Sequence, residues 1–243
     1  MISSASSRTA IANASPRGNA VPSHQSAPGA DRSGFPPVCT ILAGPNGSGK
    51  SSIFSALRLP GQFINADQVA RQLAPLCPER ASFSAGRMVL RELAQAIRAR
   101  QDFVYETTLS SHQSIELIRR ARDAGYEVGL VFVALRDADL NVARVAQRVS
   151  EGGHDIPEPV IRRRYDISIR RLGDAIRLVH GVMIFDNSRI SGPALLLQFS
   201  KDVIESNALD GAKPLHVLIA TIVGEALGMR PDALLRASNP AVP

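Results

Sequence analysis

Apolar residues are arranged in two ways along this chain. In some stretches they form short unbroken runs, and in others they recur every three or four positions. The runs are Val38 to Ala43, Gln62 to Asp67, Asp102 to Glu106, Tyr126 to Leu135 and Gly181 to Asp186. Each reads as a strand, Gly181 to Asp186 as a parallel one, and Tyr126 to Leu135, the most apolar, as a central parallel strand buried on both faces. Between the runs the spacing predicts helices over about 81–100 (Met88, Val89, Leu93, Ile97), 111–124 (Ile115, Leu117, Ile118, stopped by Gly125), 137–149 and 158–179. Ser52 to Leu57 also suits a helix, Ala194 to Phe199 an edge strand, and His216 to Leu227 a helix. Strands alternating with helices predict an α/β fold of three layers around a mostly parallel sheet.

The ends of the chain read differently. Residues 1–34 are rich in Ser, Ala, Pro and Gly, and predict a disordered leader because they offer too little apolar surface to offset the entropy of ordering. The leader lacks the apolar core of a secretory signal peptide. A transit peptide, an effector export signal and a passive tail all fit it. Residues 35–232 form the expected main domain, with a helical lid over about 137–175, and 233–243 a frayed tail.

At 243 residues the chain can enclose one sizeable α/β core. A net charge of +6, from 28 basic and 22 acidic residues, suits anionic ligands without calling for nucleic acid. Trp is absent and other aromatics are few, so no platform for stacking bases stands out. Cys39 and Cys77 make neither a metal nor a redox motif, which fits a reducing compartment. No apolar stretch is long enough to span a membrane. A bacterial cytoplasmic location is expected, with export as an effector the alternative.

The chemistry is concentrated after the first run, in Gly44-Pro45-Asn46-Gly47-Ser48-Gly49-Lys50-Ser51. A strand, this glycine-rich turn and a helix start match the phosphate-binding pattern G-x-x-x-x-G-K-[ST] in spacing and context. The glycines let successive N–H groups turn toward a phosphate at a helix N-terminus, where negative charge is favoured. Lys50 is expected to reach the β- and γ-phosphates, the Ser51 hydroxyl to ligate Mg²⁺, and Ser52 to complete the loop. The site is therefore expected to take ATP or GTP with Mg²⁺.

Three of the runs end in an acid: Asp67, Glu106 and Asp186. Phosphoryl transfer needs a group to orient or deprotonate the acceptor, and counter-charges for the transferring oxygens. Asp67 is the first choice for the base, on the premise that its strand lies beside the first. An N-cap is its other reading. Glu106, with Thr107 and Thr108, would hold the acceptor's hydroxyls. Asp186 fits a metal-coordinating acid, and fits better a turn residue bonding its own backbone in Asp186-Asn187-Ser188. Among the later arginines, Arg144 and Arg148 fall on one helical face and suit charge-stabilising fingers, whereas Arg162, Arg163 and Arg164 cannot all point inward. His154, beside Gly152 and Gly153, suits either a donor or a loop-packing role.

Taken together, Ala43 to Ser51, Ile64-Asn65-Ala66-Asp67, Glu106-Thr107-Thr108, Gly125 to Val128, Arg144 to Arg148 and Gly152-Gly153-His154-Asp155-Ile156-Pro157 resemble the zeta toxin family over about residues 38–190. The resemblance implies a P-loop kinase-like fold with a helical arginine-bearing lid. It also implies phosphorylation of a sugar hydroxyl in UDP-N-acetylglucosamine, and inhibition by an antitoxin protein. By motif it gives Lys50 and Ser51 the nucleotide and metal positions, Asp67 the base, and Glu106 and Thr108 the acceptor. Arg144 or Arg148, with His154 or a following arginine, takes the lid positions. The expected partner is thus a small acceptor resembling a nucleotide sugar, with neither nucleic acid nor membrane involved. Alternatives are a metabolite or antibiotic kinase, an exported effector kinase, and a nucleotide-dependent switch ATPase.

Overall fold

The computed structural model describes residues 34–74, 82–201 and 203–236. The expected leader and Cys77 lie outside the described residues, as does most of the expected tail. Among the described residues, seven strands form one sheet: β1 (Val38–Ala43), β2 (Gln62–Asn65), β3 (Phe103–Thr107), β4 (Glu127–Ala134), β5 (Gly181–Asp186), β6 (Ala194–Ser200) and β7 (Val203–Asn207). Their order is β2-β3-β1-β4-β5-β6-β7; the first five are parallel, β6 pairs antiparallel with β5, and β7 pairs antiparallel with β6. The helices are α1 (Lys50–Leu57), α2 (Ala66–Leu73), α3 (Ser82–Arg98), α4 (His112–Asp123), α5 (Ala138–Ser150), α6 (Glu158–Ile176), α7 (Pro214–Leu227) and α8 (Pro231–Arg236).

The expected three-layer α/β architecture is present. β4 is buried on both faces from Val128 to Ala134, as its apolar run requires. Phe132, Leu130 and Ile118 lie on one side of the sheet with α4, α6 and α7; Leu42, Ile53 and Val131 lie on the other with α1. Parallel strands place all their carboxyl ends along one edge, and the phosphate loop, the β3–α4 loop and the start of α2 gather there.

Two expectations are corrected. The run Gln62–Asp67 is not a strand closing on Asp67. β2 stops at Asn65, which caps α2, so Asp67 lies in the first helical turn. Nor does β2 lie beside β1: β3 intervenes, and β2 is the sheet's edge. Its exposed Gln62 and part-exposed Phe63 and Asn65 suit that place better than a central one. At the other edge, the 194–199 run becomes β6 and is covered by β7, whose alternation of exposed and half-buried residues marks the true edge. α8 runs across residue 233, with Leu234 fully buried, so the chain remains packed past the expected start of the tail.

Candidate active site

The site is built on the turn from β1 into α1. Gly44, Gly47 and Gly49 have φ of 146°, 74° and 89°, in the region that side chains disfavour. Gly49 also sits against the Asn187 carboxamide, where a Cβ would lie 2.2 Å from Nδ2. Asn46, Gly47, Gly49, Lys50 and Ser51 line a cavity of about 560 Å³ at the carboxyl edge of the sheet. Gly44, Pro45 and Ser48 support it from behind. Lys50 Nζ donates to the Gly44 and Pro45 carbonyls at 2.8 and 3.2 Å, and Ser48 is fully buried. Ser52 is exposed and its N–H donates to Gly49 O, within the helix start.

The acids stand opposite. Glu106, at the end of β3, brings Oε1 to 3.7 Å from Lys50 Nζ, and its Oε2 accepts from Asn65 Nδ2 at 2.7 Å. Asn65 Oδ1 takes the N–H groups of Asp67 and Gln68 at 2.6 and 3.1 Å. One asparagine therefore caps the helix that carries Asp67 and also orients Glu106. Burial pulls the Lys50 ammonium below its usual pKa; Glu106 and Asp67 oppose that shift, and Arg148 adds to it. Thr107 and Thr108 both line the cavity. The Thr107 hydroxyl pairs with Ser114 at 2.8 Å and the Thr108 hydroxyl with Ser110 at 2.7 Å.

Helices α5 and α6 form the far wall. Arg144 and Arg148 of α5 and Arg164 of α6 all line the cavity. The same two helices also grip the loop: Asn141 Nδ2 donates to Asn46 O, and Arg164 Nη1 to Asn46 Oδ1 at 3.2 Å. Burial lowers the Arg164 pKa, with nearby Asp67 working against that shift. The arginine triple divides its work. Arg162 bridges Asp139 and Glu158 at 2.7 and 2.8 Å and ties α5 to α6, Arg163 is exposed, and Arg164 enters the site. His154 is not among the lining residues; its carbonyl accepts from Arg148 Nη2 at 2.7 Å. Asp186 serves its turn, with Oδ1 accepting the Ser188 N–H at 2.8 Å.

Sequence reasoning overlooked Asn65, Asn141 and Asn187, and left Arg164 undistinguished among its neighbours. Their roles depend on contacts between distant elements, and only the Asn65 capping position leaves a local trace, an Asn just ahead of a helix.

Among the described residues no group of three or more His, Cys, Asp or Glu side chains could hold a metal ion. Ser51 is exposed and lines the cavity. These residues fit a Mg²⁺ held by one hydroxyl and otherwise by phosphate oxygens, the usual arrangement for this ion.

This fold and loop define a P-loop protein of the kinase-like α/β class. The chain belongs to the AAA_33 family, described as an AAA domain, whose pattern matches residues 40–166. An uncharacterized protein of Haemophilus influenzae is 35% identical over 126 residues, which span 51% of this chain and 90% of that protein. Among solved structures, the native AvrRxo1-ORF1:-ORF2 complex superposes with a TM-score of 0.53 at 16% identity, covering 83% of this chain and 79% of that one. The same complex with ATP gives 0.53 at 15% identity, covering 86% and 79%. A structure from the PezAT toxin–antitoxin system of Streptococcus pneumoniae gives 0.49 at 17% identity, covering 79% and 87%.

Proposed function

We propose that this protein is a kinase that transfers the γ-phosphate of ATP or GTP to a hydroxyl of a small acceptor. UDP-N-acetylglucosamine is the first candidate, and the protein acts in the bacterial cytoplasm as a zeta-type toxin restrained by an antitoxin. One observation carries the chemistry: Lys50, Asp67, Glu106, Arg144, Arg148 and Arg164 converge on one cavity over the phosphate loop. The acceptor and the toxin role rest on the motif resemblance.

In this reading Asp67 accepts the proton of the acceptor hydroxyl as its oxygen attacks the γ-phosphorus, and the bond to the β–γ bridging oxygen breaks. Glu106, held by Asn65, orients the acceptor, with Thr107 and Thr108 beside it. Lys50 and the loop N–H groups hold the β- and γ-phosphates. The three lid arginines face the charge that spreads over the transferring oxygens. When bound, Mg²⁺ supplies charge neutralisation at the phosphates.

The test is mass spectrometry of reactions containing Mg²⁺-ATP and a panel of nucleotide sugars and dinucleotides. Asp67→Asn should lower kcat by roughly 10²- to 10⁴-fold with nucleotide affinity retained. Undiminished turnover by that variant removes Asp67 as the base. ATP hydrolysis equal in both proteins, with no phosphorylated acceptor, replaces the kinase reading with that of a switch ATPase.

A further inference from the structure

The stretch Asp186-Asn187-Ser188 begins at the last residue of β5 and lies outside the family match at residues 40–166. All three side chains are engaged, each with a different part of the molecule. Asp186 Oδ1 takes the Ser188 N–H, while its Oδ2 faces His216 Nε2 of α7 at 3.5 Å. Ser188 Oγ accepts the Arg136 N–H at 2.8 Å, just past the end of β4. Asn187 donates its backbone N–H to Ala134 O at 3.0 Å and its Nδ2 to Ser48 O at 2.8 Å.

The Asn187 contact falls at the centre of the phosphate loop. Ser48 is fully buried and Asn187 is only 7% exposed, so water cannot replace the bond. A loop whose N–H groups all turn inward must turn some carbonyls outward, and a buried carbonyl left unpaired is costly. Asn187 satisfies the Ser48 carbonyl. The same carboxamide occupies the space that a Cβ at Gly49 would need. It thus fills the gap behind the loop as well as bonding to it.

We infer that Asn187 is a positioning residue for the nucleotide site: by holding the Ser48 carbonyl, it keeps the loop N–H groups aimed at the phosphates. Its own place is set by the turn, beside which α7 packs with His216 Nε2 facing Asp186 Oδ2. The last part of the chain therefore does more than complete the sheet; it carries the rear support of the phosphate loop. This inference rests on the nucleotide-binding part of the proposed function and holds whichever acceptor is used.

Two variants test it, read out by equilibrium binding of a fluorescent ATP analogue and by steady-state kinetics. Asn187→Ala removes the donor, and Asn187→Asp keeps the size but sets an acceptor against the Ser48 carbonyl. Each should weaken nucleotide binding by about tenfold or more, the aspartate more than the alanine, with a matching rise in the nucleotide KM. At saturating nucleotide kcat should stay within about threefold of the unmodified protein, since the residue touches no reacting atom. If Asn187→Ala fails to fold, the isosteric Asn187→Asp supplies the answer. Nucleotide affinity unchanged in a folded variant overturns the assignment, as does a loss confined to kcat. If the unmodified chain binds no nucleotide, the proposed function falls together with this inference; if it binds and both variants match it, only this inference falls.

Discussion

Single side chains in this site take their character from burial and from one or two neighbours. Lys50 is 7% exposed, and its ammonium is held by two loop carbonyls with a carboxylate 3.7 Å away. A buried cation so placed needs that compensation. Glu106 is in turn held by Asn65, so Asn65→Ala should reduce turnover by freeing Glu106 and uncapping α2 together, while Asn65→Asp should restore only the cap. His216 makes a separate prediction, on pH. Its Nδ1 accepts the Asp210 N–H at 3.0 Å, which places the neutral ring's proton on Nε2, facing Asp186. Burial, the larger effect, and Lys213 lower its pKa from the usual imidazole value of 6.5, while Asp186 and Asp210 oppose them. The unfolded chain therefore takes up the proton more readily. The associated stability is present above about pH 6.5 and is lost as the pH falls through the lowered native value. Thermal unfolding at pH 7.5 and 5.5 should show a larger drop for the unmodified protein than for His216→Gln. Equal drops would remove His216 from the account.

Among the elements, α5 and α6 are held to each other while Arg144, Arg148 and Arg164 still reach the cavity. Arg162 links the two helices through Asp139 and Glu158, and a bend at the exposed Gly152 and half-buried Gly153 lies between them. That bend has a further role. The Gly153 N–H donates to Arg148 O at 2.8 Å, and a Cβ on Gly153 would lie 2.6 Å from Arg148 Cγ. The bend thereby seats Arg148, whose guanidinium is also fixed by the His154 carbonyl. Gly153→Ala should displace Arg148 and, with Arg148 in the role proposed above, lower kcat by roughly 10- to 100-fold, the usual consequence of a misplacement of about an ångström. Gly211→Ala, where a Cβ would meet nothing within 4 Å, should leave turnover unchanged. Steady-state kinetics on both variants check this, and equal rates would show that the bend plays no part in seating Arg148.

Over the whole molecule, stability depends on a sheet covered on both faces, with the site along its carboxyl edge. Phe132, at the centre of β4, is fully buried and belongs to the larger apolar cluster. Phe132→Ala should cost about 3–5 kcal/mol in chemical denaturation, whereas Arg163→Ala on the exposed face of α6 should stay within about 0.5 kcal/mol. Among the described residues no helix is long and apolar enough to cross a membrane. Most of the architecture could be read from the chain because apolar runs, helical spacing and glycine punctuation are local signals. The phosphate loop was legible for the same reason, since its geometry follows from residues adjacent in sequence. Strand order was not legible. That β2 lies outside β3, and β7 outside β6, depends on which exposed residues the packed sheet leaves at its rims. Nor could the chain alone distinguish Arg164 from Arg162 and Arg163, or show that Asn65, Asn141 and Asn187 hold the site together. An asparagine carries no periodicity and no charge, and its role exists only once folding brings a distant carbonyl or carboxylate within hydrogen-bonding reach.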